Sequence, residues 1–294
     1  MRTPATGPDT RPNRTDPPPV GPVAEAVAAG RLPGRVWMYT NYHCNIACTY
    51  CLTESSPGAT RRELDPAVML DIAAQARDLG FTDLGVTGGE PFLQPFMPDL
   101  LAELAQRLPV VTLTNATLFS RRLLARVEVL AGLPVALQIS LDRPDADTND
   151  AMRAPRNFAK VTAAIPALVE RGIKVRIATT VESIEDAELD RLCALHRDLG
   201  VPDSEHIIRP IVHRGRAIDN DLGVHATVPD LPAELTITAD GAFYSPFGPT
   251  VRNGQLDTDL LVTRTTRPLA TPARAQLGLI EDRLDGEDST LNIR

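Results

Sequence analysis

Short apolar runs alternate with longer segments of helical periodicity from Arg35 onward, and this alternation is the strongest constraint on the fold. The runs are rich in β-branched and other apolar residues, which is typical of buried strands. They are RVWMYT (35–40), DLGVTG (83–88), VVTLTN (110–115), ALQIS (136–140), KVRIATTV (174–181) and HIIRPI (206–211). Strands that alternate with helices form a parallel sheet, because each helix carries the chain back to the edge where the previous strand began. The pattern predicts an α/β fold with six parallel strands whose following loops lie at one edge.

The two ends of the chain depart from this alternation. Residues 1–22 are rich in proline and lack apolar periodicity, which predicts a disordered leader. Residues 23–225 carry the strands and helices, with Asp65-Pro66 as a helix start and Gly80, Gly172 and Gly200 as helix ends. In residues 226–294, LTITADGAFYSPF predicts a β-hairpin that turns at Asp240-Gly241. The sequence therefore predicts a leader, one large domain and a short C-terminal appendage.

Charge and hydropathy exclude several classes of partner. The formal net charge is −8, from 38 acidic and 30 basic residues, and no run of Lys or Arg would follow a phosphate backbone. No segment approaches the roughly 20 apolar residues of a membrane span, and a secretion signal is not recognisable. We therefore expect a cytoplasmic protein that binds neither nucleic acid nor membrane. The acidic balance is ordinarily a solubility feature; alternatively, it attracts a polycationic small molecule.

Three of the four cysteines lie within eight residues, in CNIACTYC (44–51), directly after the first predicted strand. Clustered thiols in a reducing compartment indicate metal binding or catalysis. Structural zinc normally takes four ligands, and His43 or His206 would have to supply the fourth. Thiolates also select iron–sulfur clusters, in which three cysteine ligands leave one iron open to a substrate.

Two motifs together resemble the radical S-adenosylmethionine (SAM) superfamily. The first is CxxxCxxC with Tyr50 before the last cysteine, and the second is GGEPFL (88–93), directly after the second strand. The resemblance covers roughly residues 35–211 and implies a partial (β/α)6 TIM-type barrel. It further implies one 4Fe–4S cluster on Cys44, Cys48 and Cys51, SAM as co-substrate, and an external one-electron reductant of the flavodoxin or ferredoxin type.

The same resemblance implies which residues contact SAM. TNATL (114–118) resembles the Thr-Asn-Gly segment that faces the ribose, with Ala116 at the usual glycine position. ISLD (139–142) resembles the segment whose serine meets the SAM carboxylate. Arg153 would pair with that carboxylate, or it is an ordinary surface arginine. The implied SAM-binding residues are Tyr50, Gly88, Gly89, Glu90, Asn115, Ser140 and Arg153.

The C-terminal third resembles the SPASM/twitch branch of the superfamily, through RPIVHRGRA (209–217) and TADGAFYSPFG (238–248). No cysteine follows Cys193, so an auxiliary cluster is not expected. Within the superfamily, the chain resembles epimerases of aminoglycoside biosynthesis, of the type that makes neomycin. An aminoglycoside is a polycation, which carboxylates would bind. The substrate candidates are Glu54, Asp142, Asp145, Asp147 and Asp150, or these residues form a solvated acidic loop.

Inversion of a carbon also needs a hydrogen-atom donor, which in such an epimerase would be a cysteine in a Tyr-Cys-Pro turn. This sequence reads Tyr244-Ser245-Pro246, and a serine O–H bond is too strong to be that donor. Ser245 is a cysteine replaced to hold a substrate complex, a natural serine in an enzyme with another outcome, or a turn residue. The competing hypotheses are a decarboxylase or dehydratase of a sugar or nucleoside, a maturase of ribosomal peptides, and a non-catalytic iron–sulfur protein. Cys193 lies mid-helix and is expected to be structural.

Overall fold

The computed structural model describes residues 21–252 and 254–284, so the leader predicted over 1–22 lies almost entirely outside the described residues. The strands are β1 (Arg35–Tyr39), β2 (Asp83–Thr87), β3 (Val110–Thr114), β4 (Val135–Ser140), β5 (Lys174–Val181), β6 (His206–Pro210), β7 (Thr236–Thr238), β8 (Gly241–Phe243), β9 (Val251–Arg252), β10 (Gln255–Leu256) and β11 (Leu261–Thr263). The helices are α1 (Pro22–Ala28), α2 (Pro66–Asp78), α3 (Met97–Ala105), α4 (Arg121–Val127), α5 (Ala146–Met152), α6 (Asn157–Val169), α7 (Asp186–Asp198), α8 (Arg216–Asp219) and α9 (Ala270–Leu284). None of these helices combines the length and the apolar character of a transmembrane span.

The central sheet has the order β11-β8-β7-β1-β2-β3-β4-β5-β6. Strands β1 to β6 pair in parallel, each with the next along the chain. This arrangement confirms the predicted α/β fold with six parallel strands. The loops that follow the strands therefore meet at one edge of the sheet, where a catalytic site is expected.

The predicted hairpin at Asp240-Gly241 is present, but it is part of the sheet and not a separate appendage. Strand β7 pairs in parallel with β1, at Trp37 with Thr236 and at Met38 with Ile237. Strand β8 then returns antiparallel to β7. The physical reason is that β1 would otherwise present a row of unpaired backbone groups as an edge strand. The sheet thus runs across the predicted boundary between residues 225 and 226.

Local signals at the helix ends act as the sequence predicts. The carboxylate of Asp65 accepts a hydrogen bond from the backbone N–H of Ala67 at 2.7 Å, and Pro66 begins α2. Helices α2, α6 and α7 are each followed, within two or three residues, by a glycine with positive φ. The helices pack on the outer face of the sheet, and buried side chains such as Leu84, Leu137 and Ile165 form this core. The inner face is left to line a cavity.

A buried histidine makes the stability of this fold depend on pH. His196 on α7 is completely buried, and neither ring nitrogen has a hydrogen-bond partner among the described residues. Burial lowers the pKa of His196 from 6.5 to about 3; the ring of His206, 4.4 Å away between centroids, lowers it further, and Asp203 opposes the shift. The unfolded chain therefore binds this proton more readily. The stabilisation is complete above the unfolded pKa and is lost as the pH falls toward the folded one.

Replacing His196 by phenylalanine should remove this pH dependence. Between pH 7 and pH 5, the free energy of unfolding of the wild type should fall by about 2 kcal/mol more than that of His196→Phe. Urea denaturation at the two pH values measures the difference. Equal pH dependence of the two proteins would show that His196 titrates normally in the folded state.

Candidate active site

One cavity of about 780 Å³ lies inside the parallel strands. Its wall includes inward-facing residues of the strands, such as Thr87, Ser140 and Thr180, together with the loop after β1. Pro246 and Phe247, which follow β8, complete the wall on the C-terminal side. The C-terminal segment therefore encloses the space that the parallel strands leave open.

The three clustered cysteines all line this cavity. Cys44 is buried, Cys48 and Cys51 are half-buried, and none of them forms a disulfide. In the part of the chain that the structure describes, no three Cys, His, Asp or Glu side chains converge on a single ion. A 4Fe–4S cluster binds each thiolate to a different iron and needs no such convergence. Three thiols spread over one cavity wall therefore fit a cluster better than a mononuclear zinc site.

Two of the three thiols, Cys44 and Cys48, depend on a metal to become thiolates. Burial raises the pKa of Cys44 to about 12, and the carboxylate of Glu90 adds to the increase. Burial also raises the pKa of Cys48 to about 11, although the charge of Arg153 opposes it. These thiols hold their protons at neutral pH, so loading with iron has to release protons.

Arg216, from the C-terminal part of the chain, hydrogen-bonds to the loop after β1 that carries the three cysteines, here called the cysteine loop. Its guanidinium donates to the carbonyl of Cys48 at 2.6 Å and to that of Ser55 at 3.0 Å. Its backbone N–H donates to the carbonyl of Cys51 at 3.0 Å. The role of Arg216 was not predicted from the sequence. The sequence feature that could have indicated this role is the Arg-Gly-Arg sequence (214–216) soon after β6.

Gly215 makes the close approach of Arg216 possible. Its φ is 58°, and a Cβ at this position would lie 2.3 Å from the carbonyl oxygen of Leu52. The hydroxyl of Thr250 donates to the same oxygen at 2.9 Å. Two separate C-terminal segments therefore contact the cysteine loop.

The GGE motif packs against the start of the cysteine loop. Gly88 and Gly89 line the cavity, and a Cβ at Gly89 would lie 2.0 Å from the carbonyl oxygen of His43. Glu90 is completely buried behind the wall, where its carboxylate accepts hydrogen bonds from Thr114 and from the backbone of Asn115, both at 2.8 Å. Burial raises the pKa of Glu90 to about 6, and these hydrogen bonds partly oppose the shift. The Glu90 side chain thus orders the end of β3, whereas the glycines face the cavity.

Asn115 and Ser140 lie where the resemblance implied, on the cavity wall. The side-chain nitrogen of Asn115, Nδ2, is 3.0 Å from Oδ1 of Asn45 and 3.5 Å from the sulfur of Cys44. Ala116 adopts a φ of 55°, a left-handed conformation that glycine accepts more readily than alanine. This geometry explains why the family pattern favours glycine at that position.

Tyr50, Asp142 and Arg153 form a buried network beside the cysteines. Arg153 is 6% exposed, so the alternative of a surface arginine is wrong. Its guanidinium lies 3.0 Å from the carboxylate of Asp142, and the hydroxyl of Tyr50 hydrogen-bonds to both groups. Arg153 lines the cavity, and its Nε has no partner among the described residues. Arg153 is therefore fixed at the cavity wall by Asp142 and Tyr50, with one N–H donor unused among the described residues.

Asp142 was a substrate candidate, and its position argues for another role. It is completely buried and lies outside the cavity wall. One carboxylate oxygen accepts from the backbone N–H of Thr180 at 2.9 Å, and the other binds Arg153 and Tyr50. Because its acceptors are occupied, Asp142 orients Tyr50 and Arg153 and does not reach a substrate.

The other acidic candidates also lie outside the cavity wall. Asp145 is the N-cap of α5, and its hydrogen bond from the backbone of Thr148 lowers its pKa. Asp147 is exposed in the first turn of the same helix. Asp150 accepts from the backbone of Phe158 at 2.7 Å. Carboxylates are favoured at helix N-termini, which accounts for this acidic loop.

Glu54 is separated from the main cavity as well. It lines a different pocket of about 160 Å³ and lies 3.4 Å from the guanidinium of Arg252. Its position therefore corrects the expectation that Glu54 faces the substrate.

Ser245 is completely buried, and its side chain is part of a turn. Its hydroxyl accepts from the backbone N–H of Phe247 at 3.3 Å, and its carbonyl accepts from Gly248 at 2.9 Å. The next residue, Pro246, reaches the cavity and accepts a hydrogen bond from the Tyr39 hydroxyl at 2.5 Å. This geometry favours the interpretation of Ser245 as a turn residue.

Comparison with known proteins agrees with this geometry. Residues 38–195 match the model of the radical SAM superfamily. A GTP 3′,8-cyclase of Chlorobaculum tepidum is 31% identical over 175 residues, which are 58% of this chain and 52% of the cyclase. The mycofactocin maturase MftC of Mycobacterium ulcerans is 29% identical over 227 residues, which are 72% of this chain and 59% of the maturase. The chain thus spans only about half the length of the curated relatives it matches.

A solved structure extends the likeness to most of the chain. The structure of anSMEcpe with bound AdoMet and the Cp18Cys peptide aligns with a TM-score of 0.59 at 11% identity, over 86% of this chain and 84% of that chain. This likeness confirms the partial-barrel fold. Radical SAM enzymes use a 4Fe–4S cluster and SAM, for which the three thiols and the cavity are suited, and they need a reductant. Since the family model covers more than half of its residues, the chain belongs to the radical SAM superfamily.

Proposed function

We propose that this enzyme removes a hydrogen atom from a small polar molecule, a sugar or nucleoside derivative, held in the cavity. The observation that carries the proposal is that the three thiols, Asn115 and Ser140 share one cavity with a wall of polar strand residues. Its volume of about 780 Å³ is within the range of roughly 300–1,000 Å³ for small-molecule sites. Cluster, SAM and substrate must share this volume, which favours a substrate of sugar or nucleoside size.

The residues of the chain hold the reactants and exclude water. When bound, the cluster and SAM supply the 5′-deoxyadenosyl radical that abstracts hydrogen in this superfamily. Arg216 and Tyr50 fix the cysteine loop, and the donors of Asn115, Ser140 and Arg153 face the cavity to orient SAM. Leu113, Ile211 and Phe247 contribute apolar wall that keeps solvent from a radical.

The outcome that we propose is loss of water or carbon dioxide from the substrate, not inversion. All four cysteines are described: three are the candidate cluster ligands, and Cys193 on α7 lies outside the cavity wall. No further thiol is available in the described wall to return a hydrogen atom. After loss of water, the remaining radical takes one electron from the external reductant and one proton from solvent. Loss of carbon dioxide from the carbon beside the radical instead leaves an alkene and releases one electron, which the oxidised form of the same external carrier accepts.

Epimerisation of an aminoglycoside, the finer hypothesis from sequence, has less support. It requires a donor at Ser245, whose hydroxyl is held in a turn. It also requires a wall attractive to a polycation, whereas the charged residues of the wall are three arginines, Asp230 and Glu234.

Modification of a peptide is the second candidate. MftC is a maturase, and anSMEcpe is seen with a bound peptide, so the relatives favour this class. Pro246 and Phe247 enclose the cavity on the C-terminal side, which favours a sugar or nucleoside derivative over a peptide.

Replacing Ser245 by cysteine tests the proposed outcome. The reconstituted enzyme, reduced by dithionite, should form 5′-deoxyadenosine from SAM, and Ser245→Cys should do so at the same rate because residue 245 lies behind the wall. Candidate sugars, nucleosides and aminoglycosides are incubated in deuterated buffer and analysed by mass spectrometry. We expect a product with a loss of mass from both proteins. An aminoglycoside product of unchanged heavy-atom composition that carries one deuterium, formed only by Ser245→Cys, would instead establish the epimerase.

A further inference from the structure

The cavity wall formed by β4, β5 and β6 carries polar side chains that make no hydrogen bond or ion pair within the part of the chain that the structure describes. Gln138, Thr180 and Arg209 line the cavity, and Thr180 pairs with Arg209 in the register of β5 and β6. The side chains of Gln138 and Arg209 form no hydrogen bond or ion pair with any residue of the described ranges 21–252 and 254–284. Polar groups in an enclosed wall are usually partnered, so unpartnered ones indicate a ligand.

Arg209 differs in this respect from the other two arginines of the wall. Arg153 is paired with Asp142, and Arg35 is paired with Asp83. Arg209 is half-buried and retains five N–H donors. Burial lowers its pKa, Glu234 opposes this, and Arg35 and Arg176 lower the pKa further. An arginine nevertheless stays charged, so the cavity contains a partly desolvated cation without a direct partner.

Glu234, the carboxylate whose charge acts most strongly on Arg209, already has other partners. Glu234 accepts a hydrogen bond from the indole N–H of Trp37 at 2.6 Å and lies 3.8 Å from the guanidinium of Arg35. These contacts bind the Glu234 carboxylate to two side chains of β1. Arg209 is therefore left to an anion that enters the cavity.

Gln138 supplies a neutral donor on the same wall. It is 2% exposed, and its Nε2 has no hydrogen-bond partner among the described residues. It lies two residues before Ser140 on the inward face of β4, deeper in the barrel than the SAM-facing candidates. A buried amide without a partner is costly, and a substrate oxygen would satisfy it.

We infer that Arg209 binds an oxyanion of the substrate, a carboxylate or a phosphate, and that Gln138 donates to a further oxygen of the same molecule. This inference rests on the proposed function and narrows its substrate to acidic sugars, sugar phosphates or nucleotides. A guanidinium binds such groups through paired hydrogen bonds, which fix both position and orientation. A polycationic substrate would instead be repelled by Arg209.

The test compares Arg209→Gln with Arg197→Gln in the anaerobic holoenzyme with SAM. Arg197 is an exposed arginine on α7 that pairs with Asp203 and lies outside the cavity, so it is a matched control. The probes are glucuronate, glucose 6-phosphate, glucose and glucosamine, titrated calorimetrically at up to millimolar concentration. The first two separate a carboxylate site from a phosphate site. The last two are a neutral and a cationic sugar of similar shape.

We expect at least one anionic probe to bind the wild type and Arg197→Gln more tightly than glucose or glucosamine. Arg209→Gln should lose about 10- to 100-fold of that affinity, the effect of one charge-assisted interaction. Arg209→Lys, which keeps the charge, should retain a preference for the anion. Equal affinity of Arg209→Gln and wild type for the anions would overturn the inference, as would tighter binding of glucosamine or binding of no probe.

Formation of 5′-deoxyadenosine in the same samples separates this inference from the proposed function. If the wild type cleaves SAM but the anions bind independently of Arg209, only the oxyanion assignment fails. If the correctly loaded wild type does not cleave SAM, the proposed function fails instead.

Discussion

Gly89→Ala is expected to abolish SAM cleavage and to prevent stable loading of the cluster. The added Cβ would lie 2.0 Å from the carbonyl oxygen of His43, next to the first cluster cysteine. The Cβ is attached directly to the backbone, and the oxygen is a backbone carbonyl, so neither can turn away as a flexible side chain could. The clash is therefore relieved only by displacing the cysteine loop. Overpacking typically costs about 1–3 kcal/mol, and we expect a contact this short to lie at the upper end of that range. Iron and sulfide content and anaerobic formation of 5′-deoxyadenosine measure the effect.

Gly278→Ala is the matched control for this substitution. Gly278 lies inside α9, and a Cβ there would meet no atom within 4 Å. Alanine should stabilise the helix by about 0.5–1 kcal/mol and leave cluster loading unchanged. Normal cluster content in Gly89→Ala would mean that the GGE motif and the cysteine loop are not in contact as described.

Asp142→Asn should lower the free energy of unfolding by about 3–5 kcal/mol, the typical effect of breaking a buried ion pair. Asp142 is completely buried and Arg153 nearly so, and the substitution leaves the guanidinium without its counter-charge. Tyr50, which precedes the candidate cluster ligand Cys51, loses the carboxylate that holds its hydroxyl. We therefore also expect a large decrease in SAM cleavage. Urea denaturation and the 5′-deoxyadenosine assay measure the two effects.

Asp99→Asn controls for the loss of an ion pair as such. Asp99 pairs with Arg126 at 2.7 Å, but its side chain is 64% exposed. Exposed pairs of this kind contribute only about 0–1 kcal/mol. Equal destabilisation by the two substitutions would show that the buried network has no special role.

The strands and the position of the cysteine loop were predictable because they depend on local pattern. Apolar runs such as KVRIATTV specify β5 residue for residue, and Asp65-Pro66 specifies the start of α2. Loops after successive parallel strands meet at one edge whatever their sequence. This is why Cys44, Asn115 and Ser140 were expected to come together and do line one cavity.

The partners of the charged residues were not predictable, because they depend on contacts between distant segments. Asp142 looked like a substrate ligand because its sequence does not show that Arg153 and Tyr50 occupy its carboxylate. Asp145 looked similar, yet it caps a helix. Conversely, Arg209 had no distinguishing signal, since what marks it is that its guanidinium makes no hydrogen bond or ion pair with any of the described residues.

The pairing of β7 with β1 has a consequence for biosynthesis. Strand β1 leads into the cysteine loop, yet its second neighbour, β7, begins at Thr236 and is translated long after it. The bonds from Arg216 and Thr250 to the loop also come from late parts of the chain. Until the segment around Thr236 has been synthesised, the nascent protein therefore carries β1 with one edge unpaired, a form prone to association. The loop reaches the geometry described above only after Arg216 and Thr250 have left the ribosome, so we expect insertion of iron and sulfide into this geometry to follow the synthesis of both segments.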